Sequence, residues 1–202
     1  MKLYSSIGPN PRVILTLLKE GNIDIPIQEV DLLGGENRRE PYTSINPGGQ
    51  LPALELDSGL VIAEVLAVGQ YLDATHGAGL FGEGEQLAET LMWYQRVQLE
   101  IIEPMANSFR YGPGLETFKD RMHCIPEAAP GLAEKAKGGL KWLDGLIAGR
   151  EWIIPDRYSF VDLYAYCLID FFAKFGQPLD GAPNVEALLA RVGQRPAAQA
   201  TA

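Results

Sequence analysis

Two short stretches hold residues whose types and spacing could do chemistry. Asn46-Pro47-Gly48-Gly49-Gln50-Leu51-Pro52-Ala53-Leu54 reads as a loop that delivers a strand through a proline. Ala63-Glu64-Val65-Leu66-Ala67-Val68 reads as the acidic start of an amphipathic helix. A free strand edge can pair with an extended peptide, and a helix N-terminus favours negative charge. Side by side, the two would suit a small anionic peptide.

Other chemistries find less support. The two histidines, His76 and His123, are far apart in the chain, which argues against a histidine metal site or triad. Cys124 and Cys167 each lack a nearby second cysteine, so a disulfide scaffold, a zinc cluster and a CxxC redox centre are unsupported, and both read as reduced and structural. The formal net charge of -9 argues against a nucleic-acid partner and against anionic membrane surfaces. Glu64 breaks one apolar run, and Asp162 and Asp170 break another, so none is long enough to span a bilayer. The opening Met1-Lys2-Leu3-Tyr4-Ser5-Ser6 goes straight into a strand pattern without the apolar core of a signal peptide, and the expected location is cytoplasmic.

The elements that must position these residues follow from pattern. Lys2–Ser5 reads as a first strand. Asn10 before Pro11 reads as a helix N-cap, with Val13, Ile14, Leu17 and Leu18 as the apolar face and Gly21-Asn22 as the stop. Residues 24–31 alternate as a second strand, parallel to the first if the helix is a crossover. Residues 34–44 are polar and only partly helical. Residues 53–56 and 60–62 flank Asp57-Ser58-Gly59 as a hairpin, and residues 64–75 form a helix closing at Gly77. The order β-α-β, loose helix, β-β-α is a thioredoxin-like plan.

Beyond a glycine-rich linker at 78–85 no strand pattern persuades. Residues 86–110 read as one long helix bending at Pro104. Residues 115–147 are mostly helical with breaks at Pro126 and Pro130, and residues 159–175 and 184–192 complete the set. Ser159 and Asp162 have the spacing of a capping box. The expected organisation is an α/β thioredoxin-like N-terminal domain, 1–77, followed by an all-α helical domain, 86–202.

This order of motifs resembles the cytosolic glutathione transferases. The likeness is carried by the first strand, Pro9-Asn10-Pro11-Arg12, Val30-Asp31-Leu32, the Asn46 to Leu54 segment, Glu64 at the third helix, Ser159-Phe160-Val161-Asp162 and Arg195-Pro196-Ala197. The resemblance implies glutathione as co-substrate, a small electrophile as second substrate, no metal, and a homodimer. It also implies a cis peptide bond before Pro52. Leu51 would pair through its backbone with the cysteinyl part of glutathione, Gln50 would hold a carboxylate, and Glu64 and Val65 would receive the γ-glutamyl end. Val65 stands where the family has serine, so a hydroxyl hydrogen bond is lost and weaker glutathione affinity is expected.

The chemistry requires a thiolate, and a thiol with a pKa of about 8.5 is only a few per cent ionised at pH 7. The family supplies a hydroxyl or thiol donor after the first strand, but Gly8 stands at the usual serine position. The open alternatives are helix-start amides, the Asn10 side chain, and Ser5 or Ser6; Asn10 ranks first, Ser6 second and Ser5 third. Tyr4 reads as pointing into the sheet or an interface. Met105, Phe109, Arg110 and Tyr111 are expected to line the electrophile pocket, with Arg110 able to receive an acidic group. A competing reading, a transferase-like binding protein without catalysis, draws on Gly8 and Val65. A glutathione-dependent disulfide reductase is disfavoured because no cysteine ends the first strand.

Overall fold

The computed structural model describes residues 1–176, 179 and 181–202. The chain divides into two units, Met1–Phe81 with Pro196–Ala202, and Gly82–Arg195.

In the first unit, β1 (Lys2–Ser5) leads to α1 (Pro9–Glu20) and β2 (Ile27–Glu29). A 3-10 turn at Glu36–Arg38 and the short α2 (Tyr42–Ile45) occupy the polar stretch. Then come β3 (Ala53–Glu55), β4 (Val61–Ala63) and α3 (Val65–His76). The sheet has four strands in the order β2-β1-β3-β4, with β2 parallel to β1 and the other pairs antiparallel. The parallel pairing follows from the α1 crossover, whose apolar stripe Val13, Ile14, Leu17 and Leu18 is buried. Gly59, at φ 83°, closes the hairpin by donating its N–H to the Leu56 carbonyl at 2.9 Å.

Some boundaries differ from the sequence pattern: the strand expected over 24–31 is only Ile27–Glu29, and Pro130, expected as a break, lies in the first turn of the helix Ala129–Leu146, where a proline needs no N–H partner. Helix α1 starts at Pro9, with Gly8 as its N-cap and no side-chain cap, so Asn10 lies inside the first turn. Gly8 takes φ 123°, a conformation open to glycine, and that lets the chain enter the helix two residues early. At the other end of the unit, α10 (Pro196–Gln199) packs on α1, and the Thr201 and Thr16 hydroxyls share a hydrogen bond of 2.7 Å. These last residues, assigned above to the helical domain, group with the first unit.

The second unit is helical. It contains α4 (Glu85–Val97), α5 (Glu103–Tyr111), α6 (Leu115–Phe118), α7 (Ala129–Leu146), α8 (Phe160–Ala173) and α9 (Pro183–Gly193). The single helix expected over 86–110 is interrupted by a π-helical turn, Gln98–Ile102, just before Pro104. Proline has no N–H to return to the preceding turn, and the wider turn absorbs that loss. The Leu99 carbonyl accepts instead from Lys135 Nζ at 3.4 Å. Gly139 of α7 sits so close to the Glu100 carbonyl that any side chain there would collide with it.

Helix α8 is buried along nearly its whole length and forms the core of this unit. Its capping box is present. Ser159 N–H donates to Asp162 Oδ2 at 2.9 Å, and Val161 N–H donates to Ser159 Oγ at 3.2 Å. Ile153 N–H donates to Asp162 Oδ1 at 2.8 Å, so the same carboxylate ties the preceding loop to the helix.

Candidate functional site

The register of the sheet brings the glutathione-site candidates of the first unit to one end. Tyr4 lies opposite Ala53 across β1 and β3, and Ala53 lies opposite Ala63 across β3 and β4. The next positions outward are Ser5 at the end of β1 and Ser6 after it, Pro52 and Leu51 before β3, and Glu64 and Val65 after β4. Helix α1 begins from this same end. One edge of the unit therefore gathers residues widely separated in the sequence.

The segment before β3 is held by side chains that bind its carbonyls. Asn37 Nδ2 donates to the Gly49 carbonyl at 2.7 Å. The Gln50 carbonyl accepts from the Tyr42 hydroxyl at 2.7 Å and from Asn46 Nδ2 at 2.9 Å. Asn46 Oδ1 also accepts from Gly48 N–H at 3.2 Å. Burial raises the Tyr42 phenol above its ordinary pKa, against a hydrogen bond with Asn46 that lowers it, so the hydroxyl stays a donor. The Leu51–Pro52 peptide bond is cis, and so is Glu40–Pro41.

With its neighbours fixed, Leu51 has no hydrogen-bond partner for its N–H or C=O among the described residues. Its side chain is buried with Tyr4, Val30, Tyr42 and Ala53. The result is an anchored residue whose backbone can still accept an added strand. The Gln50 side chain is exposed beside it.

Helix α3 supplies the second feature. Its first turn has no side-chain cap and no acidic residue, and its first three amides, from Val65, Leu66 and Ala67, have no partner among the described residues. Such amides, with the helix dipole, favour an anion. Glu64 precedes them at φ 68°, a strained value for a residue with a side chain, and is exposed. Val65 is buried and presents no hydroxyl.

At the α1 end, the side chains sort by availability. Tyr4 is buried, and its hydroxyl donates to Glu55 Oε2 at 2.7 Å, which removes it as a thiol donor. Ser5 Oγ is buried without a partner, closed off from any ligand at the surface. Ser6 and Asn10 are half-buried, and neither side chain has a hydrogen-bond partner among the described residues. The first turn offers few backbone donors. Pro9 and Pro11 have no N–H, and Arg12 N–H donates to the Gly8 carbonyl at 3.2 Å. Among the described residues only Asn10 keeps a free backbone N–H there, together with its side-chain amide.

Family models for the glutathione S-transferase N-terminal and C-terminal domains match residues 7–75 and 123–196, together more than half of the chain. The chain belongs to the glutathione S-transferase family. Glutathione S-transferase 2 of Saccharomyces cerevisiae is 27% identical, with 94% of this chain and 83% of that protein covered. The crystal structure of Gtt2 from the same yeast superposes with a TM-score of 0.88 at 25% identity, covering 100% of both chains. A glutathione S-transferase domain-containing protein from Marinobacter aquaeolei gives a TM-score of 0.85 at 29% identity, over 98% of this chain and 100% of that one.

The remaining transferase candidates all lie on α5. Met105 is buried, whereas Phe109, Arg110 and Tyr111 are half-buried. Phe109 anchors a ring cluster, with centroids 5.4 Å from Phe175, 6.0 Å from Phe172 and 6.1 Å from Phe118. Arg110 Nη1 donates to Asn107 Oδ1 at 3.0 Å. Among the described residues no group of three or more His, Cys, Asp or Glu side chains is arranged to hold a metal ion, and no helix is long and apolar enough to cross a membrane.

Sequence reasoning missed the clamp formed by Asn37, Tyr42 and Asn46. Asn46 could have been suspected from its place before Pro47 at the mouth of the loop. Asn37 and Tyr42 gave no signal, because their partners are backbone carbonyls that carry no mark in the sequence.

Proposed function

We propose that this chain is a glutathione transferase that lowers the pKa of the glutathione thiol for attack on a small electrophile. The observation that carries the reading is the unpaired N–H and C=O of Leu51, at the same sheet end as the free amides of α3. The cysteinyl part of glutathione pairs with Leu51, as an added strand would. The γ-glutamyl carboxylate takes the amides of Val65, Leu66 and Ala67, with Glu64 near the ammonium. The Gln50 side chain reaches the other carboxylate.

Asn10 Nδ2 donates to the thiolate sulfur, with Ser6 as the next candidate. The thiol proton passes to solvent. The sulfur then forms a bond to the electrophilic carbon, and the leaving group departs with its bonding pair. Phe109, Arg110, Tyr111 and, through the packing beneath them, Met105 shape the surface for the second substrate. The working form is a cytoplasmic homodimer whose role is detoxification of electrophiles.

Calorimetric titration with glutathione tests the binding half, and chloride release from an aryl chloride tests the chemistry. Absence of glutathione binding at millimolar concentration refutes the proposal. Sedimentation of the purified protein checks the dimer.

A further inference from the structure

We infer that Arg110 recognises a carboxylate on the second substrate, so that the electrophiles this protein takes are acids. The inference rests on the proposed transferase function. It starts from a chain of polar groups along α5. Asn107 Nδ2 donates to Glu103 Oε1 at 2.6 Å, and Asn107 Oδ1 accepts from Arg110 Nη1 at 3.0 Å. The Glu103 carboxylate can only accept, so it turns the NH2 of the Asn107 amide toward itself and leaves the oxygen for Arg110. The guanidinium is thereby held by one N–H, with its Nε and Nη2 edge uncommitted among the described residues.

No carboxylate lies within ion-pair distance of Arg110 among the described residues. Lys2, and the more exposed Lys119, Lys135 and Lys174, have such partners. A half-buried guanidinium held by a neutral amide is a cation prepared for an anion that none of the described residues provides. A planar carboxylate fits the free edge in two parallel hydrogen bonds. The net charge of -9 gives an acidic substrate no general attraction, so its recognition must be local.

The surroundings fit an acid with an apolar body. Phe109 and Tyr111 flank Arg110 on the helix, and Phe109 joins the rings of Phe118, Phe172 and Phe175. On α8, the Tyr164 hydroxyl donates to Gln98 Oε1 and is thus already engaged. Burial holds that phenol well above its ordinary pKa; Tyr94 and Glu103 act the same way, and Arg110 opposes them.

The test compares 4-chloro-3-nitrobenzoate with its methyl ester in the full-length protein. In both, the glutathione sulfur bonds to the ring carbon that carries chlorine, the C–Cl bond breaks, and chloride leaves with the bonding pair. Each kcat/KM is divided by the uncatalysed rate to remove the difference in ring activation. The wild-type protein is expected to favour the acid. Arg110→Gln should lower kcat/KM for the acid by about tenfold more than for the ester, mainly through KM. Arg110→Lys, which keeps the charge but not the fork, should recover part of the loss. Asn107→Ala should give a smaller loss in the same direction. Equal losses on the two substrates, or no preference in the wild type, overturn the inference while calorimetric glutathione binding leaves the proposed function standing. Failure to bind glutathione at all removes both.

Discussion

Replacing Asn10 by alanine separates catalysis from folding at a single position. Lowering a thiol pKa from about 8.5 to about 6.5 requires about 2.7 kcal/mol of preference for the thiolate. The first turn of α1 supplies little of this through its backbone. Pro9 and Pro11 lack N–H groups, and that of Arg12 is spent on Gly8. A hydrogen bond to a charged partner contributes about 1.5–3 kcal/mol, so the Asn10 amide can account for most of the requirement. Its loss should raise the bound thiol pKa by about 1–2 units and cut the thiolate fraction, and with it conjugation at pH 7, by about 3- to 25-fold.

Stability should hardly change, because Asn10 makes no cap bond and alanine is the better helix former. A true N-cap would instead cost about 0.5–2 kcal/mol. Ultraviolet titration of the bound thiolate reads the first effect, and thermal unfolding reads the second. An unchanged thiol pKa in Asn10→Ala with glutathione still bound refutes the assignment. So does a shift that appears only in Ser6→Ala.

Three further outcomes are expected. Tyr42→Phe removes the hydroxyl that holds the Gln50 carbonyl but leaves Asn46 in place; urea unfolding should show a loss of about 0.5–1.5 kcal/mol, and calorimetry should show weaker glutathione binding. Val65→Ser restores a hydroxyl beside the free amides of α3. Glutathione should bind roughly tenfold tighter if the hydrogen bond forms, whereas the lost burial of Val65 should cost about 1–2 kcal/mol of stability. Burial pushes Asp162 up to about 6, against hydrogen bonds from Ile153 and Ser159 that pull its pKa down. Since the folded value lies above the unfolded value of about 3.9, the associated stability is fully present below pH 4 and is lost as pH rises through 6. Unfolding free energy measured between pH 4 and 7 should carry that negative slope, and Asp162→Asn, less stable throughout, should lack it.

What could be read from the sequence divides along physical lines. Helices with one apolar stripe announce themselves by spacing, and the stripe of α1 and the capping box of α8 appear where their residues place them. The start of α1 was misplaced because Asn-Pro and Gly-Pro are both credible helix entries. Only the backbone conformation of Gly8 decides between them. The π-helical turn before Pro104 was equally hidden, since a proline marks a disturbance without saying whether the helix bends, breaks or widens. The return of Pro196–Ala202 to the first unit depends on contacts with α1 that no local pattern encodes.

The candidate site shows the same division at closer range. Most of its proposed contacts with glutathione use backbone groups, at Leu51 and at the first turn of α3. The sequence signals for these are a proline and a helix start, and neither depends on which side chain follows. Val65 can therefore replace serine without removing the amide that an anion would meet. Thiolate stabilisation has no such redundancy, because the first turn of α1 has two prolines and Gly8 has no side chain. In the proposed site, recognition is written in backbone geometry that survives substitution, whereas activation is assigned to the amide of Asn10, with Ser6 next. A variant of Asn10 should therefore lose rate before it loses glutathione, and a variant that blocks the Leu51 edge should lose both together.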